Sequence, residues 1–136
     1  MQLAADANVL LSAVIGGRAR LVLSDPGIQE VFTTEHNLAE VEQYAVELAA
    51  KRHLSSDTLL LAIAALPVTV VSRNRYVDSL AEAAKRIAHR DPDDVELLAL
   101  ALHFRIPIWS NDKDFEGLNV ALFNTERLLR HLRMIE

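Results

Sequence analysis

The chain has 136 residues, enough for one domain to bury a core without disulfide or metal staples. Nineteen Asp and Glu against fourteen Lys and Arg give a formal net charge of −5, which argues against a protein holding nucleic acid mainly by bulk charge but leaves room for a local basic groove. No cysteine is present, so disulfides and thiolate metal sites are excluded, and any metal must be held by oxygen or imidazole, donors that suit hard cations.

Gln2 to Ala5 is short and apolar and reads as a first strand running into Asp6, Ala7 and Asn8. No basic n-region or cleavage site precedes it, so a cytoplasmic protein is expected. Val9, Leu10, Ala13 and Val14 then take up helical spacing, which puts Asp6 at a strand's carboxyl end, where it can also cap the helix. Gly16 and Gly17 end that helix, and a second short one is expected over Arg18 to Ser24, closed by Asp25, Pro26 and Gly27. Val31 to Thr33 reads as a strand. Thr34 opens a long helix to about Arg52 with an apolar stripe of Leu38, Val41, Ala45, Leu48 and Ala49. Glu35, Glu40, Glu42 and Glu47 share this helix; Glu40 and Glu42 flank the stripe on opposite sides, and periodicity does not choose between them.

Ser55 or Ser56 caps a helix over Asp57 to Leu66, and Val68 to Ser72 is a β-branched strand behind Pro67. The apolar tract Leu59 to Val71 is interrupted by Pro67 and Thr69 and falls short of the roughly 20 residues of a membrane span, so it reads as core. Tyr76 to His89 is expected as an amphipathic helix, its basic C-terminal turn suiting the helix dipole. Val95, Leu98 and Leu102 recur at helical spacing with Leu97, Leu100 and Ala101 on the sides, so the middle of Asp91 to Asp114 reads as a helix buried on most of its circumference, followed by a strand over Ile106 to Trp109 and a loop at Ser110, Asn111 and Asp112. Asn119 to Phe123 is expected as a fifth, edge strand and Thr125 to Arg133 as a terminal helix. Strands alternating with helices imply an α/β fold, a parallel sheet of four to five strands covered on both faces, in one domain over residues 1–136.

Acids gather where the chain turns. Local rules account for several singly: Asp91 as N-cap, Pro92 as first helical residue, Asp93 and Asp94 in a first turn, and Asp112 and Asp114 as an Asx-turn and a short-helix cap. They do not account for Asp6, Asp94 and Asp112 all lying at strand carboxyl ends or at a helix entrance on that side, where ligands bind in open parallel sheets. Carboxylates converging there repel one another, and a divalent cation such as Mg²⁺ or Mn²⁺ resolves the repulsion. Such an ion lowers the pKa of a bound water for attack on a phosphodiester.

The motifs AADANVLLSAV, NLAEV, DDVELLALAL and SNDKDF, in this order, resemble the PIN-domain ribonucleases, including the VapC-type toxins of toxin–antitoxin pairs. The resemblance spans nearly the whole chain. It implies a three-layer α/β/α sandwich with strand order 3-2-1-4-5, and a catalytic, metal-ligating set of Asp6, Glu40, Asp94 and Asp112, with Asp114 as a further ligand and Ser110 where Thr is frequent. It is the resemblance that selects Glu40 over Glu42; Asp91 and Asp93 stay open between caps and metal contacts. It further implies Mg²⁺ or Mn²⁺ as cofactor, an RNA substrate, an antitoxin partner, homodimerisation and no membrane association. A catalytically inactive PIN-like module that binds nucleic acid is the alternative. A haloacid-dehalogenase-like phosphatase would want Asp where Asn8 stands, and a receiver domain an acidic pair beside its phosphorylated Asp. Nine scattered basic residues, among them Arg18, Arg73, Arg86 and Arg90, are read as solvated surface.

Overall fold

The strand Gln2–Ala5 (β1) sits in the middle of the sheet, and its sequence shows why. Leu3 and Ala5 face one apolar cluster and Ala4 the other, all without solvent exposure, as expected of a strand covered on both sides. In this computed structural model, which describes residues 1–135, Glu30–Thr34 (β2) pairs on one side of β1 and Ile108–Trp109 (β4) on the other. Thr69–Val71 (β3) and Leu122–Phe123 (β5) form the edges, so the order is β3-β2-β1-β4-β5 with every pairing parallel.

One face is covered by Ala7–Val14 (α1), Ala19–Leu23 (α2), Glu35–Arg52 (α3), Ser56–Ala64 (α4) and Thr125–Ile135 (α7), whose apolar sides meet Leu3, Val31 and Trp109. Leu80–Ile87 (α5) and Val95–Phe104 (α6) cover the other, packing on Ala4, Phe32 and Ile108. These are the three α/β/α layers expected. In α6 the five successive residues Leu97 to Ala101 are all buried, and each of its buried leucines contributes roughly 1.5–3 kcal/mol by leaving water.

Several expected elements are shorter than the sequence suggests, among them the third strand, which spans Thr69–Val71 and not Val68 to Ser72. Tyr76 to His89 is not one helix: single 3₁₀ turns at Arg73–Arg75 and Val77–Ser79 precede α5, because the Tyr76 ring is buried in the core while its hydroxyl donates to Glu96 at 2.7 Å. The fourth strand begins at Ile108 and not Ile106. Pro107 still accepts from the Ala4 amide at 2.9 Å, but with no N–H it cannot donate to the ladder. The fifth covers only Leu122–Phe123, since Asn119 turns the chain with φ 61°. Pro92–Asp94 likewise forms a 3₁₀ turn before α6 starts at Val95.

Register fixes the site. Ala5 pairs with Trp109 and the Asp6 amide donates to the Trp109 carbonyl at 3.2 Å, so Asp6 and Ser110 leave neighbouring strands at one level. On the other flank Thr33 Oγ1 donates to the Ala5 carbonyl at 2.9 Å, and Thr34 begins α3 beside them.

Candidate metal centre

Asp6 is 6% exposed and has both carboxylate oxygens engaged: Oδ1 accepts from the Val9 amide at 3.0 Å, capping α1, and Oδ2 accepts from the Ser110 hydroxyl. Ser110 Oγ in turn accepts from the Asp112 amide at 2.9 Å, which ties the turn after β4 to the end of β1. Asp112 accepts from the Asp114 amide at 2.9 Å and so caps the 3₁₀ turn Lys113–Phe115. Asp91 does the same for Pro92–Asp94, accepting from the Asp93 amide at 2.9 Å. The local cap reading therefore holds for Asp6, Asp91 and Asp112. Asp94 stands in the first turn of Pro92–Asp94, as expected, and its side chain makes no cap hydrogen bond.

These acids meet in one small cleft of about 80 Å³ lined by Asp6, Asn8, Asn37, Glu40, Tyr44, Asp91, Asp93, Asp94 and Asp112. Oxygens of Asp91, Asp94, Asp112 and Asp114 lie within 4.8 Å of one another, and His36, Glu40 and Asp93 form a second such group at its rim. His36 Nε2 is 3.6 Å from Glu40 Oε1 and 3.4 Å from Asp93 Oδ1. The structure thus brings together Asp6, Glu40, Asp94, Asp112 and Asp114, and adds Asp91 and Asp93, which the sequence left open. Glu42 is exposed and lines an apolar groove with Leu38 and Leu60 instead.

Burial and crowding set the protonation of the cleft. Burial is the main cause that raises the Asp94 pKa to about 8, and the negative charges of Asp91, Asp112, Asp6 and Asp114 push in the same direction. Asp6 is raised to about 6, again chiefly by burial, with the Ser110 and Val9 hydrogen bonds pulling down and Asp112 and Glu40 pushing up. Glu40 is raised by burial first, opposed by Tyr44 and His36 and reinforced by Asp93 and Asp91.

The donor set fits a hard divalent cation. Asp94 Oδ2 is, among the described residues, the one fully buried side-chain polar atom without a hydrogen-bond partner, and Asp94 belongs to the group of four converging carboxylates. A buried orphan acceptor surrounded by like charges is costly unless something positive completes it. With no cysteine in the chain, the converging ligands are carboxylate oxygens, which suit a hard divalent cation.

Sequence reading missed Asn37, Tyr44 and His36. Tyr44 Oη donates to Glu40 Oε2 at 3.1 Å and Asn37 Nδ2 to Glu40 Oε1 at 3.5 Å. The available signal was their spacing of three or four residues from Glu40, which puts all of them on one helix face. Arg90 is exposed, as expected, and also donates through Nη1 to the carbonyls of Asp114 at 2.9 Å and Glu116 at 2.7 Å.

The fold is shared with solved structures of low sequence identity. VapBC2 from Rickettsia felis, bound to a promoter DNA fragment, aligns with a TM-score of 0.65 at 12% identity over 91% of this chain and 98% of that one. PAE2754 from Pyrobaculum aerophilum aligns at 0.67 and 14% over 98% and 96%. VapC20 from Mycobacterium tuberculosis, described as a sarcin–ricin loop cleaving toxin, aligns at 0.61 and 19% over 88% and 96%. No curated protein sequence matches. The family model described as the PIN domain matches residues 5–133, from the end of β1 through α7 and across every acid of the cleft, so the chain belongs to the PIN-domain family.

Proposed function

We propose that this protein is a Mg²⁺- or Mn²⁺-dependent endoribonuclease, the toxin component of a cytoplasmic toxin–antitoxin pair. The observation that carries the reading is the convergence of Asp6, Glu40, Asp94 and Asp112 on one cleft in which a buried oxygen of Asp94 has no partner. RNA as substrate and an antitoxin as partner rest on likeness to VapC20, described as cleaving the sarcin–ricin loop, and to the VapBC complexes. Homodimerisation belongs to the same reading.

Asp6, Glu40, Asp94, Asp112 and Asp114 are the residues that would hold the ion. When bound, such a cation supplies a water of lowered pKa and neutralises charge developing on phosphate oxygens. The chain's own part is placement. Ser110 fixes Asp6 against Asp112, the Val9 amide keeps Asp6 from turning away, and the caps at Asp91 and Asp112 hold their turns rigid. Burial of Asp6 limits access of bulk water to that wall.

The test is cleavage of RNA by the purified chain with Mn²⁺ or with excess EDTA. Asp6→Asn, Asp94→Asn and Asp112→Asn, which keep shape and remove charge, are expected to lower cleavage at least about a hundredfold, and Glu40→Gln likewise, while the exposed Glu42→Gln stays within about twofold. Undiminished cleavage in EDTA would sink the mechanism. Wild type that binds RNA and never cleaves it under any divalent ion would establish the inactive binding module instead.

A further inference from the structure

Glu40 differs from the other walls of the cleft. Asp6, Asp91 and Asp112 are each pinned by a backbone amide two or three residues on. Glu40 lies in the body of α3, where the amides are engaged in the helix, and its longer side chain has more torsions to fix. Its hydrogen bonds come from side chains of its own helix.

Resting on the reading of the cleft as a cation site, we propose that Asn37 and Tyr44 are positioning residues that hold the Glu40 carboxylate on the cleft and thereby set its affinity for a divalent cation. The orientation of Asn37 follows from Thr34. The Thr34 hydroxyl accepts from the Asn37 amide at 2.9 Å and gives its single proton to Asn37 Oδ1 at 2.6 Å. The carboxamide oxygen is thus committed to Thr34, and Nδ2 is left to donate to Glu40 Oε1 at 3.5 Å. Asn37 is 2% exposed, so its amide has no water to turn to. Tyr44 Oη, four residues on, donates to the other oxygen, Oε2, at 3.1 Å. One donor therefore reaches each carboxylate oxygen from along the helix, three residues before and four after, while His36 Nε2 stands 3.6 Å from Oε1. Tyr44 is partly exposed, and its hydroxyl gains little from Glu40 that water would not supply. What the bond changes is where Glu40 sits. Outer partners of this kind orient ligands at metal sites without touching the ion.

The experiment is calorimetric titration of the full chain with MnCl₂ in the absence of RNA, for wild type, Tyr44→Phe, Glu40→Gln and the double variant. Tyr44→Phe removes one oxygen and keeps the ring, so its metal-free melt should match wild type. It is expected to weaken Mn²⁺ binding about tenfold, the lower end for an outer partner. In the Glu40→Gln background the same substitution should change binding by less than about twofold, because no carboxylate is left to position; this coupling separates positioning from general loosening of the helix. Asn37→Ser, which keeps a small polar side chain, should follow the same pattern. Tyr44→Phe binding Mn²⁺ like wild type, or an equal loss in both backgrounds, would overturn the positioning role alone. Wild type that takes up no Mn²⁺, or a Glu40→Gln protein that binds it unchanged, would overturn the cation reading of this wall and the positioning role with it.

Discussion

Asp94 is the group on which burial and four neighbouring carboxylates act together, and its pKa of about 8 stands well above the 3.8 of a free Asp side chain. Over the interval between those values the folded metal-free protein keeps a proton that the unfolded chain has released. Stability therefore falls as pH rises from about 4 to about 8. Asp6, raised to about 6, adds to the decline only in its lower part. Asp94→Asn is expected to flatten the fall most clearly between pH 6 and 8 and to raise the metal-free melting temperature at pH 8. Thermal melts in EDTA at pH 5, 6 and 8 check this; a mutant melting below wild type at pH 8 would mean that Asp94 serves mainly as a favourable charge at the entrance of α6. The aspartates were legible in the sequence because each sits where the chain changes direction, and the cap hydrogen bonds of Asp6, Asp91 and Asp112 are local enough to foresee; Glu40, in the body of α3, was selected by resemblance alone. Tyr44 and Asn37 were not, because helical periodicity groups residues on a face but does not say which cleft that face meets.

At the scale of elements, α5 does more than cover the sheet. Arg90, just beyond its end, bonds the carbonyls of Asp114 and Glu116, and Arg86 bonds the carbonyl of Leu118 at 3.1 Å. The loop carrying Asp112 and Asp114 is thus tethered to the end of α5. Arg90→Ala is expected to weaken Mn²⁺ binding about tenfold, as loss of an outer partner does, with little change in the metal-free melt since Arg90 is exposed. A titration unchanged from wild type would show that the loop holds its shape unaided. Periodicity read α3 well: Thr34 caps it, accepting from the Asn37 amide, and Val41, Ala45 and Ala49 are buried. It misread the segment from Tyr76 because a buried ring and its bond to Glu96, 20 residues away in sequence, override local helical preference there. The two-residue strands β4 and β5 were overextended for a related reason: Pro107 and the left-handed Asn119 end the ladder, whatever the apolar pattern says.

For the whole molecule, the unfolded chain scatters the carboxylates that the fold concentrates, so a divalent cation bound by the native state alone stabilises it by about 2.7 kcal/mol at a hundredfold excess over Kd. For a domain of this size that is roughly 10 °C in Tm. Melts with millimolar Mn²⁺ should show the rise and EDTA should reverse it; absence of any shift would leave the acids as caps and nothing more. The topology has one further consequence. β1 lies in the centre of the sheet, and its neighbour β4 belongs to the far end of the sequence, so Ser110 and the Asp6 it fixes are 104 residues apart along the chain. Synthesis on the ribosome delivers the first wall of the cleft long before the last. A nascent chain cannot close the acidic ring until β4 has emerged and paired with β1.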